Sequence, residues 1–407
     1  MNATQKPYLS IVVPVYNEEE NVRPLYEKIR AVCEAIGRTY EVLFVDDGSQ
    51  DNTFEVLSEL RNQEHHLVVI RFQENAGQTA AMAAGFEFAQ GERIISMDGD
   101  LQNDPADIPQ LLEKLDEDYD LVCGWRRERQ DKFWTRRVPS VAANWIISKV
   151  TGVAIHDNGC SLKAYRAEVI KQVPLYGEMH RFIPAMSKVV GARIAEMVVK
   201  HHPRRFGISK YGLGRIWRVI LDILAFKLIL SIFARQSNPS GNSLTQQSYD
   251  NEINPKFHVY RIAAFLSLPF FIIGFLLINV AIIAALSCIG MGISLMGISL
   301  ITSWSISKAQ REAADLSPLA PFFIYRCARR PIRYFGPFGT LLTALGGILT
   351  IGFPNVSPIL INTGILIFCC GLFGEAIVFA NAKRVKDYTV EIVLNAREDV
   401  KRIENVL

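Results

Sequence analysis

Two stretches of this 407-residue chain are nearly free of charge, and they constrain its architecture more than any other feature. From Ile262 to Ser307 there is no Asp, Glu, Lys or Arg, and from Tyr334 to Ala382 the only charge is Glu375. A helix that spans a bilayer needs about 20 apolar residues. Each stretch is therefore long enough for two spans joined by a tight turn, and core helices rarely run so far without charge. Basic residues sit between and after the two pairs: Lys308, Arg311, Arg326, Arg329, Arg330 and Arg333, then Lys383, Arg384 and Lys386. The turns near Cys288 to Ser294 and near Phe353 to Pro358 carry no positive charge. The excess of Lys and Arg in cytoplasmic loops then puts the amino-terminal domain, the middle loop and the tail on the cytoplasmic side. Four spans satisfy that assignment.

The expected organisation follows from these marks. A cytoplasmic catalytic domain covers 1–212 and an amphipathic interface helix 213–236. A polar linker follows at 237–256, then a transmembrane pair at 257–307 and a basic cytoplasmic loop at 308–333. A second transmembrane pair covers 334–383, and a cytoplasmic tail covers 384–407. The chain is expected to be a multi-pass integral membrane protein, with an inner cell membrane favoured. Glu375 lies near the cytoplasmic end of the last span, and an intramembrane acid is a functional candidate by default. The net charge of +3 gives no sign of a nucleic-acid partner. No basic-then-apolar leader opens the sequence, so no signal peptide is expected. Seven cysteines without C-x-x-C or histidine-paired spacing suggest neither zinc nor a disulfide framework.

Residues 8–125 alternate strand-like and helix-like segments. "YLSIVVPVY", "YEVLFVDDGS", "HLVVIRF", "RIISMDGD" and "YDLVCGW" read as strands. Helices are expected from about Asn17 to Ile36, Asn52 to Arg61, through "TAAMAAGFEFAQ", and from Pro105 to Leu115. Asn17 and Glu20 suggest a capping box for the first of them. Such alternation gives an α/β fold with a mostly parallel sheet, whose ligands bind at the carboxyl ends of the strands. The unusual residues stand at those ends: Asn17-Glu18, Asp46-Asp47-Gly48-Ser49, Asn75-Ala76-Gly77 and Asp98-Gly99-Asp100.

In an extended segment Asp98 and Asp100 point to the same side, and Gly99 allows close approach to a ligand. Mg²⁺ is typically held by one or two carboxylates, with substrate phosphate and water completing its shell. A metal shared between the protein and a diphosphate fits this pair. The plainer reading is a turn leading into a helix at Asp104-Pro105. Asp46-Asp47-Gly48-Ser49 has more acid than a helix cap needs, and hydrogen bonding to a base or ribose is its functional reading.

The segments "VVPVYNEEEN", "VDDGSQDNT", "NAGQTAAMAAG", "MDGDLQNDP" and "GWRRERQD", in this order and spacing, resemble family 2 glycosyltransferases of the GT-A fold. The resemblance implies that Asp98 and Asp100 are the D-x-D pair that holds Mg²⁺ or Mn²⁺ against a nucleotide-sugar diphosphate. It implies that Gln102 adds a contact near the metal, and that Pro14, Tyr16, Glu18 and Asp47 are nucleotide-binding positions. "HDNGCSLKAYR", "GEMHRFIPAM" and "HHPRRFGISKYGLGR" resemble the polyprenyl-phosphate subgroup, and no Q-x-x-R-W segment of the processive synthases is present. The implied reaction is inverting transfer of a hexose, with glucose favoured, from a UDP- or GDP-sugar to undecaprenyl or dolichyl phosphate. The resemblance also implies a homo-oligomer.

A lipid-phosphate acceptor needs fixed cations. Arg126, Arg127, Arg129, Arg136 and Arg137 follow the fifth strand, and Arg204, Arg205 and Lys210 precede the membrane segments. Arginine forks match phosphate oxygens in bidentate geometry, and a general basic attraction to anionic lipid is the plainer alternative. Arg126, Arg129, Arg137, Arg205 and Lys210 are the candidate acceptor ligands. Asp157 resembles the family's catalytic base or acceptor-orienting acid, and Asp100 is counted with it as catalytic. A phosphate monoester is largely ionised near neutral pH, its second pKa being about 6, so a strong base is less necessary here than for a sugar hydroxyl. Arg215, Arg218 and Asp222 share one face of an otherwise apolar helix, which fits an element lying in the bilayer interface. The chain departs from the family in roughly 90 residues inserted between Phe233 and "RRPIRYFGPFG". Two rival readings remain at this level: transfer to another membrane glycolipid or polysaccharide, and a non-catalytic scaffold or transporter carrying a nucleotide-sugar domain.

Overall fold

The computed structural model describes residues 6–127, 144, 147–149, 151–203, 221–227, 331–349, 357–381, 388–395 and 398–402. Two compact units emerge, Met1–Ile216 with Ala382–Val406, and Trp217–Asn381.

The first unit is a sheet flanked by helices. Its elements begin β1 (Leu9–Val15), α1 (Glu19–Ile36), β2 (Tyr40–Asp46), α2 (Thr53–Gln63), β3 (Leu67–Phe72), α3 (Gln78–Phe88) and β4 (Arg93–Ser96). A 3₁₀ turn at Pro105–Asp107 leads into α4 (Ile108–Asp116) and β5 (Leu121–Trp125). After β6 (Lys163–Arg166) come α5 (Ala167–Ile170), α6 (Ile183–Val189) and β7 (Ile194–Val198). Strand order is β7-β5-β6-β4-β1-β2-β3, extended by two further strands described below. β1 pairs in parallel with β2 and β4, β2 with β3, and β5 with β7, while β6 is antiparallel to both neighbours. The apolar β-branched runs lie in the centre: Ile11, Val12, Val13, Val42 and Val69 are fully buried. This is the mostly parallel α/β fold expected from the alternation.

Two local expectations fail. The capping box of Asn17 and Glu20 does not form. Asn17 is left-handed at φ 54°, and Glu18 is the N-cap of α1, its side chain making no capping bond. Asn17 instead accepts the Gln50 N–H at 2.8 Å, tying the β1 end to the β2 end. The tail is also more than a tail. β8 (Val390–Asn395) adds antiparallel to β3, and β9 (Glu398–Arg402) adds antiparallel to β8, so residues from both ends of the chain share one sheet.

The second unit contains α7 (Pro331–Ile348) and α8 (Ser357–Asn381) at the place of the second expected pair. Their backbones meet at Gly339 and Gly364. A Cβ on either would lie 2.4 Å from the other's carbonyl oxygen, so only glycine fits there. Among the described residues no helix is long and apolar enough to cross a membrane. Glu375 is fully buried and accepts the Ile332 N–H at 3.4 Å, near the start of α7, instead of reaching an interface. Residues 221–227 are helical. Asp222, expected on a wet polar face, is buried and lies 3.6 Å from the Arg333 guanidinium. The first pair at 257–307, the polar linker, and most of the interface helix and basic loop lie outside the described residues.

Candidate active site

The carboxyl ends of β1, β2 and β4 lie side by side, because Val15 pairs with Asp46 and Val12 with Ser96. This register brings the segments singled out in the sequence to one edge of the sheet. Pro14 and Tyr16 are partly buried there. Beyond β1, the Asn17 N–H donates to Ser49 Oγ at 2.9 Å and the Glu18 N–H to Thr53 Oγ1 at 2.8 Å. Glu18 Oε2 accepts Asn21 Nδ2 at 2.6 Å.

Asp47 is buried and clasps the turn between β3 and α3. Its carboxylate accepts the Ala76 N–H at 2.7 Å, the Gly77 N–H at 2.9 Å and Asn75 Nδ2 at 3.0 Å. Bonds from several N–H groups to one carboxylate are among the stronger kinds in proteins. Asp47, expected on the nucleotide, therefore first shapes the loop beside it. Gly48 completes the fit at φ 70°, where an added Cβ would stand 2.8 Å from the Glu74 carbonyl carbon. Asp46 beneath is fully buried and accepts the Ser49 N–H at 2.9 Å. Burial pushes its carboxyl above the usual range.

Asp98 and Asp100 leave the end of β4 as expected. Gln78, the first residue of α3, donates to Asp98 Oδ1 at 2.7 Å. Burial pushes the Asp98 carboxyl up, the neighbouring charge of Asp100 adds to this, and the charges of Arg126 and Lys163 oppose it. Leu101, at φ 61°, is held left-handed between Asp100 and Gln102, a strain of the kind that collects at functional sites. Gln102 gives its backbone N–H to Asp100 Oδ1 at 3.2 Å, while its side chain donates to the His202 carbonyl at 3.3 Å. Among the described residues no group of three or more His, Cys, Asp or Glu could hold a metal by itself. Two acids one residue apart at a strand end, the charge of one raising the carboxyl of the other, fit a divalent cation whose remaining ligands come from a substrate diphosphate and water.

The second half of the site forms around Asp157. Arg126, immediately after β5, donates Nε to Asp157 Oδ2 at 2.7 Å and Nη2 to Oδ1 at 3.0 Å. Both side chains are nearly buried, at 11% and 4% exposure. This pairing engages both carboxylate oxygens of Asp157. Glu196 on β7 holds the same loop from below. It accepts the His156 N–H at 2.9 Å, the Asp157 N–H at 3.0 Å and bonds His156 Nδ1 at 2.7 Å. The His156 ring stacks on Trp125, centroids 4.3 Å apart. Lys163, also buried, donates to the Cys160 and Asn158 carbonyls of the same loop. Sequence reading missed Gln78, Glu196 and Lys163, since no single-chain signal connects Glu196 to a loop 39 residues earlier. Arg127 lies in the turn after Arg126, whereas Arg129, Arg137, Arg205 and Lys210 fall outside the described residues.

A family model described as "Glycosyl transferase family 2" matches residues 10–173. A protein of Rhizobium johnstonii named dodecaprenyl-phosphate galacturonate synthase is 48% identical over 238 residues, which are 58% of this chain and 70% of that protein. Among solved structures, glucosyl-3-phosphoglycerate synthase from Mycobacterium tuberculosis, in complex with Mn²⁺ and UDP-glucose, is 18% identical. The match covers 59% of this chain and 83% of that one, with a TM-score of 0.42. That score is too low to transfer a metal or a substrate.

Proposed function

We propose a function from one premise: the chain belongs to glycosyltransferase family 2. In our reading it transfers a sugar from a nucleotide-diphosphate donor to a polyprenyl phosphate at a membrane surface. The observation that carries this is the meeting of two unlike half-sites at one sheet edge. Asp98 and Asp100 make a carboxylate pair suited to a metal and diphosphate, and the loop of Asp157, which holds Arg126, is tied to the same strand end: the Ser161 carbonyl accepts Ser96 Oγ at 2.6 Å and Ser161 Oγ accepts Asn103 Nδ2 at 2.8 Å. Mg²⁺ or Mn²⁺, when bound, would stabilise the departing diphosphate. The chain's own residues do the rest. Asp47 and Gly48 fix the loop that borders the nucleotide, with Pro14, Tyr16 and Glu18 beside it. Gln78 holds Asp98 toward the cation, and the Gln102 backbone holds Asp100. Asp157 orients Arg126 toward the incoming phosphate, which needs little help from a base because it is already largely ionised. In-line attack by phosphate oxygen on the anomeric carbon inverts its configuration in a single displacement.

We take galacturonate, the sugar in the relative's name, as the first candidate donor sugar and glucose, favoured from the sequence, as the second. UDP and GDP are both candidates for the nucleotide. The four-span arrangement draws support from the tail. Strands β1–β7 and β8 belong to the same sheet, so any crossings between β7 and β8 must be even in number. The amino-terminal unit is then cytoplasmic by the distribution of Lys and Arg.

The test is turnover by purified full-length protein with polyprenyl phosphate, Mn²⁺ or Mg²⁺, and a panel of radiolabelled UDP- and GDP-sugars including UDP-galacturonate and UDP-glucose. Label entering an acid-labile lipid, and lost in Asp98→Ala, is the expected result. Label entering a glycan or no product, from protein that still binds nucleotide, would overturn the lipid-phosphate acceptor.

A further inference from the structure

We propose that the carboxyl-terminal hairpin is a brace for the nucleotide side of the active site, acting through the end of β3. The proposal rests on the donor reading given above and extends it to residues more than 300 positions away in sequence.

The contacts fall on a short segment. Tyr388 stacks on Phe72, the last residue of β3, with centroids 4.8 Å apart and rings inclined by 7°. Its hydroxyl donates to Glu87 on α3 at 2.8 Å. The Gln73 N–H donates to the Thr389 carbonyl at 3.1 Å. The β3–β8 ladder then shifts register: Phe72 faces Val390, but Arg71 faces Ile392. Glu391 is the extra residue, and such bulges re-aim a side chain. Its carboxylate stands 3.6 Å from Arg71 Nε, which stands 3.8 Å from the buried carboxylate of Asp46. The Arg71 guanidinium also lies 4.3 Å above the Phe54 ring. Thus the hairpin grips Arg71, Phe72 and Gln73, plus the far end of α3.

Those are the residues that enter the site. Past Gln73 the chain turns through Asn75, Ala76 and Gly77, which clasp Asp47. It then reaches Gln78, which holds Asp98. Asp46, which faces Arg71, holds the Ser49 N–H of the neighbouring turn. Without the hairpin β3 becomes an open edge, and fully buried Phe72 loses its stacked cover. A loosened β3 end relaxes the turn that both Asp47 and Asp98 depend on. Tyr388 and Glu391 are positioning residues in this account, since they act through β3 and touch no substrate.

The experiment compares full-length Tyr388→Ala, Tyr388→Phe and Glu391→Gln with the wild type. UDP and GDP, each with Mn²⁺, are titrated, and steady-state constants are measured for donor and polyprenyl phosphate. Tyr388→Ala is expected to weaken nucleotide binding and raise the donor KM about five- to tenfold, with kcat and the acceptor KM within about twofold. Tyr388→Phe keeps the stack and should return to within about twofold of wild type. Glu391→Gln removes only the charge facing Arg71, and should weaken nucleotide about two- to threefold even where Tyr388→Ala folds poorly. Unchanged nucleotide binding in Tyr388→Ala and Glu391→Gln would overturn the brace. So would equal losses in the donor and acceptor constants of Tyr388→Ala. A wild-type protein that binds neither nucleotide would overturn the donor reading itself, and the brace with it.

Discussion

On the proposed reading the site has a donor half and an acceptor half, and the two are built by different means. The donor half is mostly backbone on carboxylate: Asp46 and Asp100 accept main-chain N–H groups of their own turns, and Asp47 accepts those of the turn after the neighbouring β3. The acceptor half adds side-chain pairs to such bonds: Arg126 is forked onto Asp157, and His156 is set between Trp125 and Glu196, which also accepts two main-chain N–H groups. A backbone scaffold holds its shape when one side chain changes. A paired scaffold does not, because removing one partner leaves a buried charge alone. The two halves should therefore fail differently.

The largest effect is expected from Asp98→Ala. If Asp98 holds the proposed cation, its loss removes several kcal/mol of charge stabilisation, so transfer should fall by about 10³-fold or more while the sheet stays folded. Measured turnover beside an unchanged circular dichroism spectrum checks this. Next comes Arg126→Ala, which leaves Asp157 buried without its fork and should cost about 3–5 kcal/mol of stability as well as activity. Denaturant unfolding reads the first part. Arg126→Lys should not restore activity, because an ammonium cannot reproduce the bidentate geometry.

How far the sequence reached follows the same division. The strand ends and their acids were legible because each motif is contiguous and the alternation of strand and helix places it. Even there the partners were not: Asp47 was read as a nucleotide contact, and nothing local showed that its carboxylate also holds the Asn75–Gly77 turn. Around the Asp157 loop the sequence singled out only Arg126 and Asp157. Glu196 stands 39 residues from Asp157 on a strand that only the sheet brings near. β8 and β9 were missed for the same reason, since their partner β3 lies more than 300 residues earlier and nothing local marks the pairing. Asp222 looked like the wet face of an interface helix because helical periodicity cannot see Arg333.

Smaller substitutions sharpen the contrast. Glu196→Ala removes the acceptor of two backbone N–H groups and should cost about 1–3 kcal/mol, seen in kcat with the donor KM unchanged. Glu196→Gln keeps an acceptor oxygen and should recover most of that loss. In the donor half, Gly48→Ala forces a side chain into a left-handed position against the Glu74 backbone. It should cost at least about 1–2 kcal/mol, read as a lower melting temperature and a raised donor KM.

The smallest effect has a definite sign. The Asp98 carboxyl lies above its usual range, so the folded chain holds that proton more tightly than the unfolded chain does. Ionising it as pH rises above the unfolded value therefore costs stability. Asp98→Asn should raise the metal-free melting temperature at neutral pH, by about 2–4 °C for each kcal/mol relieved, and abolish the further rise that Mn²⁺ with UDP gives the wild type. A melting temperature unchanged or lowered in the metal-free variant would contradict the sign.

The measurement that bears most directly on two half-sites is a titration of UDP or GDP with Mn²⁺ into full-length Asp157→Asn, beside its turnover. The account predicts nucleotide binding within about twofold of wild type, together with transfer reduced at least tenfold. Loss of nucleotide binding in parallel with transfer would contradict it, because Asp157 would then belong to the donor half and the division drawn here would not exist.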